Sequence, residues 1–185
     1  MRGPSIDVST AVPPALVREL GRRLRRAALR LGLTPREVAG VAVHLVDDAA
    51  IARLNHEHMG KRGPTDVLSF PTGERDLGLD PGDDAGGLDA FEGDAGALEA
   101  GPPVFLGDVI LSWPAVHRQA RRRDPAGLLD EATVLVIHGL CHLLGHDHGA
   151  RGEGRAMHRD ERRALAAVRV ADVARPYGLG PRRGG

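Results

Sequence analysis

The sequence predicts an α+β fold, a single domain in which a small mixed sheet is packed with helices. Its length of 185 residues fits one domain, and a hydrophobic content of 42% is enough for a real core. Runs rich in β-branched apolar residues are short and few, whereas apolar residues at helical spacing recur in longer segments. The chain shows no internal repeat. We therefore expect one small sheet with helices packed on it.

Each expected strand has a local signal. Segments 41–48 (VAVHLVDD) and 104–112 (VFLGDVILS) are rich in β-branched apolar residues, which is typical of strands. Segment 66–70 follows a Gly/Pro turn and stops at a proline. Residues 5–9 fit a short first strand.

The helices are predicted from apolar spacing and capping residues. Between residues 14 and 33, apolar side chains recur at every third or fourth position, with arginines on the other face. Asp47 or Asp48 could cap a second helix that runs to about residue 58. Further helices are expected near 114–123, at about 128–144 after a break at 124–127, and at about 153–174. The basic face of the first helix could meet phosphate, although such a face is usually just solvated: Arg18, Arg22, Arg25 and Arg26.

Charge is distributed unevenly along the chain, although the formal net charge is zero. Segment 74–101 has nine acidic residues and one basic residue, which leaves 24 basic and 16 acidic residues elsewhere. We expect a disordered acidic insertion at about 73–102 and a flexible tail at about 176–185. The remaining part has an excess of eight basic residues, which is compatible with a polyanionic partner.

The composition also bears on the cellular compartment. Cys141 is the one cysteine of the chain, which excludes an internal disulfide framework and suits a reducing environment. The N-terminus has no apolar core of signal-peptide length, and no apolar run approaches the roughly 18 residues of a membrane span. We therefore expect a cytoplasmic protein with no membrane partner.

The strongest chemical signal is the segment HGLCHLLGHDH at 138–148, which has four of the nine histidines. His138 and His142 are four residues apart in an apolar helical segment, so their imidazoles lie on one face and can bind one ion. Gly145 could end the helix in the left-handed conformation and let the chain bring His148 to the same ion. Three imidazoles with an open fourth position are typical of a catalytic zinc site, here one Zn²⁺ per chain.

The spacing resembles the ligand frame of the metzincin proteases, with one informative difference. Those proteases place a glutamate directly after the first histidine as general base, and this chain has Gly139 there. Asp147 is expected to hydrogen-bond a ligand imidazole from behind, or else to contact substrate water. His146 is equally compatible with an extra base, an RNA contact or an exposed loop residue. Cys141 is about 100° round the helix from His142, so we expect a core residue there.

Three motifs in this order resemble those of the bacterial YbeY endoribonucleases, zinc-dependent rRNA maturation factors. The histidine segment matches the family form HGxLHLxGYDH except at Cys141 and His146, where the family has Leu and Tyr. PTDVLSFP at 64–71 stands unchanged, and LGDVILS at 106–112 matches a third family element. The resemblance covers the chain from about residue 41 to residue 148.

The resemblance implies that His138, His142 and His148 are zinc ligands at the end of a cleft in an α+β fold. It implies single-stranded RNA as substrate, with a role in 16S rRNA 3′-end maturation and ribosome quality control on the small ribosomal subunit. One position departs from the family, because many members have Arg where this chain has Met59. Lys61 or Arg62 could supply that positive charge.

The expected reaction is phosphodiester hydrolysis, in which zinc lowers the pKa of bound water and polarises a phosphoryl oxygen. Lys61 and Arg62 are candidates to meet developing charge. The base could be zinc hydroxide, a phosphate oxygen or His146, or the 2′-hydroxyl of the RNA could attack instead. Two other classes stay open: a metal-dependent hydrolase of peptides or small molecules, and a non-catalytic ribosome-associated zinc protein. Asp66 and Ser69 are expected to border the site in structural roles.

Overall fold

The computed structural model describes residues 3–72, 104–146 and 153–171. The predicted class is confirmed, because this part of the chain is α+β with one small mixed sheet. The strands are β1 (Ser5–Val8), β2 (Val41–Val46), β3 (Val67–Pro71) and β4 (Gly107–Ser112). The helices are α1 (Pro14–Arg30), α2 (Pro35–Ala39), α3 (Asp48–Met59), α4 (Trp113–Gln119), α5 (Pro125–Leu143) and α6 (Glu153–Ala167).

The sheet has the strand order β1-β2-β4-β3. β1, β2 and β4 run parallel, with Val43 of β2 opposite Val109 of β4, and β3 pairs antiparallel with β4. β3 is the edge where Pro71 is tolerated, because an edge strand can present a residue without an N–H. Ser69 lies opposite Val109 in this pair, which places both residues beside α5.

The core lies on both faces of the sheet. On one face, α1 and α5 pack against β2 and β4 through fully buried residues such as Leu24, Leu45, Leu111 and Leu135. On the other face, Ile51 of α3 packs beside the alternate residues of the same strands and of β3: Val46, Leu68, Phe70 and Ile110. α5 therefore lies directly on the sheet, covered by its neighbours, and this fixes its position.

Among the described residues, α5 is the one helix long and apolar enough to cross a membrane by length and composition alone. Of its 18-residue apolar window, 83% is buried inside the fold, as in a core helix. The sequence prediction found no such run because Asp130 and Glu131 interrupt the apolar residues. Burial within the domain accounts for the composition of α5, so length and apolarity are weak evidence for a span.

Several element boundaries differ from the sequence prediction. Segment 124–127 is not a break, because Asp124 caps α5 by accepting a hydrogen bond from the Gly127 amide and Pro125 occupies the first turn. α1 ends at Arg30, three residues early, because Gly32 has a φ of 98° and closes the helix. α6 ends at Ala167 rather than near 174, and β4 begins at Gly107 rather than at residue 104.

Helix α2 was missed altogether by the sequence prediction. Its signal is the capping box of Thr34 and Glu37, in which each side chain accepts a hydrogen bond from the backbone amide of the other. The expected acidic insertion at 73–102 and the tail at 176–185 lie outside the described residues. So do Asp147 and His148.

Candidate metal centre

The centre is built on α5, which presents His138 and His142 from successive turns. Their Nε2 atoms are 3.2 Å apart, and their rings meet edge to face with centroids 4.7 Å apart. His138 is buried, whereas His142 is partly exposed. The structure thus brings together two of the three predicted ligands, with their nitrogens facing each other.

The separation of the two nitrogens matches a shared ion. Two nitrogens bound at about 2.05 Å in a tetrahedral zinc site lie about 3.3 Å apart. A hydrogen bond between the rings also fits 3.2 Å, if one nitrogen carries a hydrogen and the other does not. Both arrangements require that the Nε2 atom of at least one imidazole offers its lone pair.

Glu161 of α6 determines which ring nitrogen of His138 offers its lone pair. Its Oε1 atom lies 2.7 Å from His138 Nδ1, where the carboxylate can only accept. The hydrogen of neutral His138 is therefore on Nδ1, and the Nε2 lone pair is directed at His142. A carboxylate behind a ligand histidine is the usual device that fixes the tautomer in metal sites.

The position of Glu161 follows from how α6 docks on α5. Val134 and Ile137 of α5 form a buried cluster with Ala164 and Leu165 of α6 and Ala27 of α1. Glu161 lies one turn before this apolar contact, so it faces the His138 turn of α5. Sequence reasoning missed Glu161 because an acidic residue in a charged surface helix carries no signature of its own.

Gly139 lies where the backbone of α5 packs against β3 and β4. A Cβ atom at Gly139 would be 2.5 Å from Val109 Cγ1 and 2.9 Å from Ser69 Oγ. A side chain there would have to displace the side chains of Val109 and Ser69, so the protease glutamate does not fit at this position as the sheet and helix are packed. Ser69 of β3 thus borders the centre through the backbone of α5, as predicted for a structural role.

The chain leaves α5 through Gly145, as predicted. Gly145 has a φ of 85°, and the His146 amide donates to the Cys141 carbonyl to close the helix. His146 Nε2 then lies 3.3 Å from Asp160 Oδ2 on α6. The structure therefore pairs His146 with a carboxylate next to Glu161, and its role as a base or RNA contact stays a prediction.

Lys61 and Arg62 lie on a different segment, the exposed loop between α3 and β3. Within residues 3–72, 104–146 and 153–171, neither side chain makes a hydrogen bond or an ion pair. Met59, at the position where the resemblance implies arginine, is exposed at the end of α3. The structure does not join these residues to the histidine pair by a contact, and their proposed role stays a prediction.

Asp66, at the start of the same motif, has the structural role that was expected. Its carboxylate accepts from the Val67 amide and from the Gln119 side chain of α4. Cys141 is fully buried, and burial raises the pKa of its thiol. It is a core residue, as predicted.

The described residues contain no group of three or more His, Cys, Asp or Glu side chains that could hold a metal ion. The predicted third ligand, His148, lies beyond them, three residues after the glycine that ends α5. The donor set that is described suits zinc, because zinc accepts neutral imidazole nitrogens and a carboxylate-oriented histidine. The fold and this pair of imidazoles together define a candidate metallohydrolase.

Comparison with known proteins identifies the family. The sequence profile described as Endoribonuclease YbeY matches residues 12–169. The chain is 40% identical over 141 residues to the endoribonuclease YbeY of Alkalilimnicola ehrlichii, covering 76% of this chain and 70% of that protein. It is 37% identical over 160 residues to the endoribonuclease YbeY of Parvibaculum lavamentivorans, covering 84% and 75%. The protein belongs to the YbeY endoribonuclease family, as its three motifs indicated.

A solved structure is also similar. The solution structure of TM1509 from Thermotoga maritima covers 89% of this chain and 91% of its own, with a TM-score of 0.43 and 22% sequence identity.

Proposed function

We propose that this protein is a zinc-dependent, single-strand-specific endoribonuclease of the cytoplasm. Its substrate is 16S rRNA, on which it acts in 3′-end maturation and in quality control of the small ribosomal subunit. The observation that carries the proposal is the His138–His142 pair, whose 3.2 Å separation suits two zinc ligands, in a chain of the endoribonuclease YbeY family.

The zinc would be held by His138, His142 and His148, and it would supply an activated water and a Lewis acid for the phosphoryl oxygen. Residues of the chain itself have the other roles in the reaction. Glu161 holds the hydrogen of His138 on Nδ1 and so keeps Nε2 as a donor atom toward the ion. Lys61 and Arg62 would meet the negative charge that develops on the phosphate.

The base for the attacking water is proposed to be zinc hydroxide, a phosphate oxygen or His146. The contact between His146 and Asp160 supports the last of these, because a carboxylate partner orients an imidazole. Asp147 is proposed to hydrogen-bond a ligand imidazole, as Glu161 does for His138.

A peptide hydrolase with the metzincin mechanism is the weaker alternative. The helix packs on Val109 and Ser69 at the position where that mechanism needs a glutamate, so its base could not be accommodated. A non-catalytic ribosome-associated zinc protein is the other alternative. A His148→Ala variant distinguishes this alternative from the proposed enzyme. A structural zinc predicts that the variant unfolds, whereas a catalytic zinc predicts a folded but inactive protein.

The decisive test is cleavage of a labelled single-stranded rRNA 3′-end fragment by purified protein. We expect cleavage to stop with a chelator and to return with zinc. His142→Ala should lower the rate at least about 1,000-fold, because metal activation contributes several kcal/mol to the transition state. The matched control is His44→Gln, which changes a histidine on the sheet and should leave both zinc content and cleavage unchanged.

Two results would contradict the proposal. One is that a folded, zinc-loaded wild-type protein does not cleave the fragment, which favours the non-catalytic ribosome-associated protein. The other is that cleavage survives both chelation and the His142→Ala substitution, which excludes metal chemistry at this pair.

A further inference from the structure

An open groove with a volume of about 630 Å³ lies between the end of α1 and the outer face of α6. Every charged or titratable side chain known to line it is basic, and the remaining lining residues are alanines. The basic residues are Arg30, Arg155, His158, Arg159, Arg162 and Arg163. None of the groups that form the histidine pair lines this groove, so it is a feature separate from the candidate metal centre.

The arginines of α6 are spaced to share one face. Arg155, Arg159 and Arg163 are four residues apart, so their side chains lie one above the other along the helix. Like charges at this spacing oppose helix formation. A local conflict of this kind is typical of a functional site, where a ligand of opposite charge offsets it.

Acidic neighbours neutralise this face in part only. Asp160 pairs with Arg163 at 3.3 Å and with Arg159 at 3.8 Å, and it also contacts His146. Arg30 and Arg155 make no ion pair within the described ranges 3–72, 104–146 and 153–171, and both are exposed. The groove therefore offers two guanidinium groups, one from each wall, to an external anion.

The groove lies close to the candidate metal centre. His158 lines the groove, and its Nδ1 atom lies 3.7 Å from Glu161 Oε2. The other oxygen of Glu161 is 2.7 Å from His138 Nδ1. One carboxylate thus separates the basic groove from the buried ligand histidine, on the Nδ1 side of its ring.

We propose that this groove binds the phosphate backbone of single-stranded RNA and holds the strand beside the candidate metal centre. The inference rests on the proposed function for the identity of the polyanion. Arginine suits the role because its planar fork binds phosphate oxygens in pairs. The groove reads no base, so it contributes affinity and position but no sequence preference. The four arginines of α1 suggested from the sequence as phosphate contacts are not among the residues that line the groove, and α1 contributes Arg30 instead.

The test compares two double variants of equal charge change in the full-length, zinc-loaded protein. Arg30→Gln with Arg155→Gln removes one cation from each wall of the groove. Arg53→Gln with Arg123→Gln is the matched control, because both residues are exposed, neither lines the groove and neither has an ion pair in the described part of the chain. Binding of a fluorescent single-stranded RNA of about 20 nucleotides is measured by anisotropy at several salt concentrations.

We expect the groove variant to bind about tenfold more weakly than the control at 0.15 M salt. The slope of log affinity against log salt should fall by about 1.4, since each single-strand phosphate contact contributes about 0.7. The cleavage rate at saturating RNA should be unchanged, because neither residue belongs to the histidine centre. Equal melting temperatures for both variants show that folding is not the cause.

The two proposals fail separately. If wild-type protein cleaves RNA but the groove variant binds it as tightly as the control does, the groove proposal is overturned and the endoribonuclease stands. If no variant cleaves but the groove variant still loses affinity and slope, the groove is an RNA-binding surface and the enzymatic proposal fails. An equal loss in both double variants also overturns the groove proposal, because it shows a general effect of net charge.

Discussion

Two histidine–carboxylate pairs in this molecule have similar contacts and different surroundings. His138 lies 2.7 Å from Glu161, and His44 lies 2.9 Å from Asp108. Both pairs join neighbouring elements, α5 to α6 in the first and β2 to β4 in the second. The difference lies in the other ring nitrogen. His138 Nε2 faces the imidazole of His142, whereas His44 Nδ1 faces a second carboxylate, Asp7, at 3.6 Å.

The comparison shows that a histidine with a carboxylate is not by itself a metal site. Two carboxylates around His44 favour the imidazolium, which has donors only and no lone pair for a metal. One carboxylate and one imidazole around His138 leave a lone pair directed at a second donor atom. The chemistry available to each histidine is therefore determined by its second neighbour.

The largest effect in this comparison is expected from Glu161. Glu161→Ala removes the group that holds the His138 tautomer, and we expect zinc affinity to fall about 10–100-fold. Glu161→Gln should lose less zinc affinity, because the amide oxygen of glutamine can still accept a hydrogen bond from His138 Nδ1. Affinity is measured by competition with a chromophoric chelator, and the melting temperature of the zinc-free protein separates binding from folding.

Asp108→Asn is the matched control, since Asp108 is the carboxylate of the other pair. It should leave zinc affinity unchanged even where it lowers stability. The role given to Glu161 is wrong if Glu161→Ala binds zinc as tightly as the wild-type protein.

The second largest effect is expected from a substitution of Gly139, the residue that follows His138 in α5. Gly139→Ala places a Cβ atom 2.5 Å from Val109 Cγ1, so overpacking should cost more than the roughly 1 kcal/mol that alanine gains in a helix. We expect the free energy of unfolding to fall by about 1–2 kcal/mol, measured by urea denaturation.

Gly21→Ala in α1 is the control for helix propensity. Its Cβ atom would meet only Ile6 Cδ1 at 3.4 Å, an ordinary contact, so this variant should gain about 0.5–1 kcal/mol. If both variants gain stability equally, the helix is not held against the sheet as described, and steric exclusion of a base at residue 139 no longer stands.

Local sequence determined one half of the candidate centre. The spacing of His138 and His142 on an apolar helix, and the glycine that ends it, depend on helix geometry within one turn or two. Segments 41–48 and 66–70 could be predicted as strands for the same reason, because their signals, β-branched residues and a proline, lie within the segments themselves. The capping box at Thr34 was also readable, although α2 was missed.

Tertiary contacts determined the other half, which the sequence could not predict. Glu161 is selected over its neighbour Asp160 only because α6 docks on α5 through Ala164 and Leu165. The pair of His44 with Asp108 likewise depends on the parallel register of β2 and β4. Both partners lie far from their histidines in sequence, with no local pattern to mark them.

The smallest expected effect is the pH dependence of the His44 pair. The hydrogen bond to Asp108 raises the pKa of His44 above its ordinary 6.5, against the opposing effect of burial, and the charges of Asp108 and Asp7 also raise it. A group whose pKa is higher in the folded state stabilises the fold fully below its unfolded pKa. That contribution is lost as the pH rises through the folded pKa, so stability from this pair falls above about pH 6.5.

We expect the wild-type advantage in unfolding free energy over His44→Gln to shrink by about 1 kcal/mol between pH 6 and pH 9, the worth of one hydrogen bond. Urea denaturation of the zinc-free proteins at several pH values measures this difference, in which the titration of the other histidines cancels. Parallel pH profiles for the two proteins would show that His44 is neutral in its pair. His44 would then keep a lone pair as His138 does, and the contrast between the two pairs would disappear.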